Sequence, residues 1–470
     1  MKKNFTVKPV YFLLAIAFLL RILIPFHAYH KTHSFEASYT FDTQTYITPA
    51  KSLINNFTFN DEDGKPDINR TPGYPILLIP GILLGHVEAF TIFLQVLLSC
   101  LTVFIVYKIS LEIFNDEKAA FFSVMFSGFS LELLANTSIL MTETLFTSIF
   151  SLFLYFIIRY LNEKKLKYIL ISVLLLVISI YVRPAGYLFA LLFIPFMIVW
   201  LLYKKELTQK ILIHLIIFLV ITVSLTYLWQ IRNKTLTGYT KFSAVSDIVL
   251  YYNEACAVLS EVEGIPQWKM SNKMLNNSTV IGNYLLPTLL ATEKIQFSNN
   301  IEAYSYIRGK AIKIILNHPL YFAKVHIIGM YRILTSGWLP MSSNILRTFS
   351  FRGITGLLKD YGLKETFNML SHENPKALLI YLITHIGMAL SLVFVVITLF
   401  HKGNKNQTGT IAVLIVGLYF SFISGTIWDM RAKHPIIPSI CILGGMGMSI
   451  VYNTIIRKWM SFKSNKNPNN

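Results

Sequence analysis

The chain has 470 residues, 54% of them hydrophobic and only 14% charged, with a mean hydropathy of +0.54. A typical soluble domain carries about 25% charged residues, so this balance argues against a water-soluble globular protein and for a polytopic membrane protein. The formal charge of +18 comes from short Lys and Arg clusters set between apolar runs, a pattern of membrane topology and not the continuous basic face of a nucleic-acid binder.

The N-terminal stretch "MKKNFTVKPVYFLLAIAFLLRILIPFHAYH" has the basic start and apolar run of a signal peptide. It lacks a small-residue cleavage site and contains Arg21, so it is expected to remain as an uncleaved first span. Crossing the hydrocarbon layer takes about 20 apolar residues. Such runs lie near residues 10–29, 76–107, 119–136, 142–160, 168–183, 185–203, 210–229, 377–400, 409–427 and 435–456. The fold class is therefore all-α and polytopic, with about ten or more transmembrane helices. The run 76–107 is long for one helix and is expected to include a short interfacial piece before the true span. His214, inside the seventh run, reads as a packed or hydrogen-bonded helix residue, and Cys100, Cys256 and Cys441 fit neither a zinc spacing nor a disulfide framework.

Alternate loops are basic: Lys2, Lys3 and Lys8; Lys164, Lys165 and Lys167; Lys204, Lys205 and Lys210; Lys402 and Lys405; then Arg457, Lys458, Lys463 and Lys466. The positive-inside rule makes these cytoplasmic and places both termini inside an inner or plasma membrane. Three regions follow: residues 1–229 as a transmembrane catalytic module with a first outer loop at 30–75, residues 230–376 as an extracytoplasmic segment, and residues 377–470 as C-terminal spans with a basic tail. Within the middle region, 306–339 is apolar but interrupted by Lys310, Lys313, Lys324 and Arg332 and divided by Pro319. Ile307, Ala311, Ile314 and Ile315 recur at helical spacing, which suggests interfacial helices, with a pair of spans as the other solution that preserves topology.

Ionisable residues then collect at the outer ends of spans: Asp42 in "FDTQTYITPAKSLINN", Arg70 in "INRTPGYP", Glu143 in "SILMTETLF", Arg183 in "YVRPAGY", Arg232 and Asn233 in "WQIRNKTLTG", and Asp429, Arg431, Lys433 and His434 in "WDMRAKHPIIP". Charges at membrane depth face a cavity or pair with each other, so this set suggests a site for an anionic, membrane-embedded substrate. Each has a plainer reading. Arg21 and Arg183 can snorkel to headgroups, Glu143 can serve as a helix N-terminal acid, and the prolines of "RTPGYP" and "VRPAG" mark turns and helix starts whatever the function. Asp61, Glu62, Asp63 and Asp67 superficially suggest a calcium loop, but their spacing departs from the EF-hand pattern and a solvated turn is the better reading.

In this order, "FDTQTYITPAKSLINN", "RTPGYPILLIPGILL", "SLELLANTSILMTETLF", "YVRPAGYLF", "WQIRNKTLTG" and "RAKHPIIP" resemble the polytopic C-class (GT-C) glycosyltransferases, nearest the bacterial relatives of protein O-mannosyltransferases and aminoarabinose transferases. The resemblance runs from the first span through residue 240 and resumes at "ILNHPLYFAK" and "RAKHPIIP". It implies an enzyme that moves a sugar from a polyprenyl-phosphate carrier to a glycan, lipid or protein acceptor on the outer face, with inversion at the anomeric carbon. By position it makes Asp42 the catalytic base and Glu143 its acidic partner. Arg431, with Arg183, Arg232, Arg70 and Lys433, would hold the donor phosphate. Tyr46, Tyr74, Asn233 and His434 are expected to line the substrate pocket. Two departures leave acceptor and metal open: Asp42 is followed by Thr43 where many members have a second acid, and Arg431 by Ala432 where relatives often have Tyr. A divalent cation, if used, would fall to Asp42 and Glu143. A flippase for lipid-linked glycans and a glycan polymerase or ligase are the competing readings.

Overall fold

The computed structural model describes residues 8–274, 297, 299–335, 364–372, 375–401, 403, 406–426 and 430–466. The expected basic clusters at Lys2 and Lys3 and at Lys402 and Lys405, and Asp429 of the late turn, lie outside these residues. Among the described residues the fold is all-helical, with one isolated antiparallel bridge between Asn60 and Pro66. Eight helices there are long and apolar enough to cross a membrane, or nine if one bent pair counts as a span.

The first helix, α1 (Lys8–Thr32), leads into the first loop, where α2 (Thr43–Asn56) lies. The run 76–107 divides as expected into α3 (Gly73–Leu83) and α4 (Val87–Phe114). Gly85 takes the left-handed conformation, φ +70°, which a residue with a Cβ rarely adopts, and the chain breaks there. The eleven residues of α3 span only about 16 Å, too little for a crossing. The next run also breaks, into α5 (Glu117–Gly128) and α6 (Leu131–Ala135), with a bend of 52° between α5 and the segment that α6 begins. Ser130 caps the second piece by accepting the N–H of Leu133.

Arg21 explains how that break is tolerated. Its side chain is fully buried, and its guanidinium donates to the carbonyls of Gly128 (3.0 Å), Ser127 (3.2 Å) and Ala17 (3.0 Å) and to Ser99 Oγ (2.8 Å). These include carbonyls that the end of α5 leaves without intrahelical donors. The snorkelling reading of Arg21 is thus corrected: the side chain turns into the bundle because unpaired carbonyls there are costly.

The remaining bundle consists of α7 (Thr142–Glu163), α8 (Leu166–Val182), α9 (Phe189–Tyr203) and α10 (Gln209–Thr237). Its core is rich in phenylalanine: Phe150 meets Phe153, Phe189 and Phe420 edge-on at 4.9, 5.2 and 4.9 Å. His214 is buried, with Nδ1 3.2 Å from the Tyr160 hydroxyl.

The middle region forms α11 (Val245–Val249), a π-helical turn at Leu250–Ala255, α12 (Cys256–Glu263), α13 (Gln267–Met274), α14 (Asn300–Asn317) and α15 (Pro319–Thr335). Ile307 and Ala311 are buried, with Ile314 packed beside them, as the helical spacing predicts. They join Tyr239, Tyr251, Tyr252 and Tyr304 in a small apolar cluster that also takes in Ile68 of the first loop. Last come α16 (Pro375–Phe400), α17 (Gln407–Ser424), a 3-10 turn at Met430–Ile436 and α18 (Ile437–Lys466). In the acidic stretch of the first loop, Asp61 Oδ1 accepts the N–H groups of Asp63 and Lys65, an exposed turn; Asp67, expected to be solvated with them, is instead buried, because its carboxylate turns inward to the N–H groups of Asn69 and Arg70.

Candidate active site

Two contacts fix the start of α2 against the loop that precedes α7. Leu140 N donates to Ser38 O (3.0 Å), and Thr43 Oγ1 donates to Leu140 O (3.2 Å). Asp42 occupies the residue before α2, but its side chain makes no capping hydrogen bond. The carboxylate is instead gripped by two arginines. Oδ1 lies 2.7 Å from Arg70 Nη2, and Oδ2 lies 3.4 Å from both terminal nitrogens of Arg431. Burial alone pushes the Asp42 carboxyl up, but Arg70 and then Arg431 outweigh it and hold the group below the usual carboxylate range.

Arg70 is the fixed member of this clamp. Its Nε donates to Thr45 Oγ1 (2.8 Å) and Nη1 to the Tyr46 hydroxyl (3.1 Å), and the guanidinium lies over the Tyr46 ring at 4.6 Å. The loop presents it because Asp67 Oδ1 accepts the N–H groups of Asn69 (2.7 Å) and Arg70 (3.0 Å). Burial pushes Asp67 up to about 6 against those two hydrogen bonds.

The sign of that shift gives a test. An acid whose folded pKa lies above its unfolded value of about 3.9 opposes folding when ionised, so the penalty is full above pH 6 and fades as pH falls toward 4. Asp67→Asn keeps the acceptor oxygen and removes the charge. It is expected to raise stability at pH 7 by roughly 2–3 kcal/mol, with the gap to wild type closing as pH falls through 6 in thermal melts.

Glu143 is the second residue of α7 and is buried, with Oε1 2.6 Å from Arg183 Nη1 and Oε2 accepting from Thr142 Oγ1 at 3.4 Å. Arg183 reaches it from the extended backbone position before Pro184 (φ −147°, ψ 121°), the conformation a following proline favours. Tyr46 lies within electrostatic range of Arg70, Asp42, Glu143 and Arg183, and burial pushes its phenol up. It is a wall between two acid–arginine pairs and a poor base. Tyr74 supports it edge-on at 5.2 Å.

Several expected pocket residues face elsewhere. Arg232 donates to the carbonyls of Asp67 (2.6 Å) and Phe59 (2.8 Å) and lies against the rings of Phe59 and Trp229, so it pins the first loop to α10 instead of presenting its fork to a phosphate. Asn233 Nδ2 donates to the carbonyls of Lys241 and Phe242 and is fully buried. Lys433 is fully buried, its Nζ 3.6 Å from Glu132 Oε1. His434 is buried with Nδ1 2.6 Å from Thr147 Oγ1. The hydroxyl of Tyr74 donates to Gln95 Oε1 (3.0 Å), while Gln95 Nε2 donates to the carbonyls of Thr137 and Ile139 ahead of Glu143. These five side chains support the site from behind. Thr45, Gln95, Asp67 and Glu132 are the site's unforeseen partners; of these Gln95, an amide in the middle of an apolar run, carried a readable signal.

Among the described residues no three His, Cys, Asp or Glu side chains converge as a metal-binding group. Both Asp42 oxygens face guanidinium groups and Glu143 Oε1 faces Arg183, so a divalent cation here would have to displace an arginine.

Residues 70–229 match the family model of dolichyl-phosphate-mannose-protein mannosyltransferases. Two solved structures from Archaeoglobus fulgidus overlie 99% of the chain. One is the oligosaccharyltransferase AglB in complex with an inhibitory peptide and a dolichol-phosphate (TM-score 0.51, 13% identity), the other an oligosaccharyltransferase in the apo form (TM-score 0.50, 14% identity). The chain covers 52% of each of them, about half their length. ArnT from Cupriavidus metallidurans, in the apo state, is matched over 93% of this chain and 77% of its own (TM-score 0.39, 10% identity). No curated protein sequence matches the chain.

Proposed function

From a multi-pass membrane protein with the GT-C fold, we propose a glycosyltransferase that moves a sugar from a polyprenyl-phosphate donor to a hydroxyl of an envelope glycan, lipid or protein on the outer face of the membrane. The observation that carries this reading is the Asp42 clamp: a carboxylate held tightly by Arg70 and loosely by Arg431. The dolichyl-phosphate donor named in the matching family and the dolichol-phosphate bound to AglB support a lipid-phosphate donor.

The chemistry follows from charge. The donor is a phosphodiester with one negative charge, and breaking the sugar C1–O bond leaves the electron pair on a polyprenyl phosphate with a second. Guanidinium forks stabilise that developing charge, most effectively in a water-poor site. The acceptor hydroxyl must lose its proton as it attacks C1, and Asp42 takes it. A single displacement with a single base inverts the anomeric carbon.

The clamp also sets the order of events. With both arginines in place Asp42 is a weak base. An arriving phosphate competes for Arg431, whose contacts to Asp42 are the longer ones, and its departure makes the carboxylate more basic as the donor is seated. Glu143 keeps Arg183 oriented beside Tyr46 as a second cation for the phosphate.

Transfer of label from a polyprenyl-phosphate sugar to envelope acceptors by the purified protein tests the reading. A new glycosidic bond supports it. Movement of the label across proteoliposomes without a new bond would replace it with a flippase.

A further inference from the structure

Glu254 lies on the π-helical turn Leu250–Ala255, outside the Asp42 clamp, and is buried. Its Oε1 accepts from Thr426 Oγ1 at 2.6 Å, and its Oε2 is 2.9 Å from His326 Nε2. His326, on α15, stacks on Phe422 of α17 at 4.5 Å and places Nδ1 3.2 Å from Phe422 O. The two helices meet where a Cβ on Gly329 would come within 1.9 Å of Gly425 O, so only glycine permits this approach. All these contacts converge on the C-terminal end of α17. A few residues later comes Arg431, and Ser424 Oγ donates to Ala432 O (3.4 Å) across the interval.

A carboxylate is electrostatically out of place at a helix C-terminus, where the backbone dipole is already negative. Helix stabilisation therefore does not account for Glu254. The same outer segment also holds the other arm of the clamp. Tyr304 donates to Asn69 Oδ1 (3.0 Å), Ser243 Oγ to Asn69 O (2.6 Å) and Ala244 N to Ile68 O (2.9 Å), directly before Arg70. One extramembrane unit thus grips both arginine-bearing loops. π-helical turns are often found at functional sites, where the extra residue re-aims a side chain.

We infer that Glu254 is a positioning residue that sets Arg431 for the donor phosphate through Thr426 and the end of α17, an inference that rests on the phosphate-binding reading of Arg431. Glu254 touches neither substrate nor Asp42. Its effect is on where the Arg431 turn sits, so it should appear in donor affinity and vanish once the guanidinium is gone.

The test is a double-mutant cycle on binding of undecaprenyl phosphate to the full-length protein in nanodiscs. Thr426→Val removes the hydrogen bond to Glu254 with little change in volume, and it carries the test because Glu254→Ala risks misfolding. Thr426→Val is expected to weaken binding about five- to tenfold, Thr426→Ser to bind as wild type, and Thr426→Val to add less than about twofold in an Arg431→Ala background. Unchanged binding in Thr426→Val, or an equal loss in the Arg431→Ala background, overturns the inference while leaving the function intact. Absence of saturable binding by the wild type, or full binding by Arg431→Ala, overturns the phosphate reading itself and the inference with it.

Discussion

Asp42→Asn is expected to lower the rate of sugar transfer by about 10³-fold, the usual range for losing a general base, while tightening donor binding by roughly tenfold. The two effects have one cause. Asparagine still offers an oxygen to Arg70, which lies 2.7 Å from Oδ1, but it cannot take the acceptor proton and no longer competes electrostatically for Arg431. A residue that merely shaped the pocket would weaken binding and rate together. Steady-state kinetics with a labelled donor, alongside binding of undecaprenyl phosphate, separates the cases: activity within tenfold of wild type would remove Asp42 from the role of base. The wild-type pH profile adds a check. Because the arginines hold the Asp42 carboxyl below its usual range, kcat/KM should stay flat down to about pH 4. The acid limb of kcat should lie higher, since in the donor complex Arg431 is drawn to the phosphate.

Arg431→Ala is expected to weaken donor binding by about 30- to 150-fold, the worth of charge-assisted hydrogen bonds to one phosphate, and to lower kcat by about 10²-fold as transition-state charge goes unmet. Arg431→Lys should recover only part of this, because an ammonium is a point charge without the guanidinium fork. The alanine variant also leaves Asp42 with Arg70 alone, so the acid limb of kcat/KM should move upward in pH. A variant with normal donor affinity and an unshifted profile would place Arg431 outside the chemistry.

Much of the site was legible because polar groups in an apolar chain are conspicuous. Asp42, Arg70, Glu143, Arg183 and Arg431 stand out against their surroundings, and topology alone put them at one end of the bundle; the structure joins them as two acid–arginine pairs around Tyr46. What the sequence does not carry is direction. Lys433 follows Arg431 by two residues, but in a 3-10 turn each residue rotates the side chain by about 120°, so Lys433 meets Glu132 inside the bundle while Arg431 meets Asp42. Arg232 resembled a phosphate ligand because its partners, the carbonyls of Phe59 and Asp67, belong to the backbone and leave no trace in residue type. Likewise, hydropathy records total apolar length: an overlong run betrayed the break at Gly85, but the run 119–136 has the length of one span and gives no sign of the break after Gly128.

The buried Arg21 has a consequence for how the protein is made. It sits near the middle of α1, where a lone guanidinium costs about 2.5–3.5 kcal/mol to insert. Its acceptors beyond its own helix, Ser99 and the carbonyls of Ser127 and Gly128, are synthesised about a hundred residues later. Until then Ala17 O is the partner that α1 itself supplies, so stable insertion of this helix is expected to follow the arrival of those acceptors. The second and third hydrophobic runs, which carry those acceptors, are therefore expected to secure α1 in the bilayer, so that the N-terminal third of the chain inserts as a single unit.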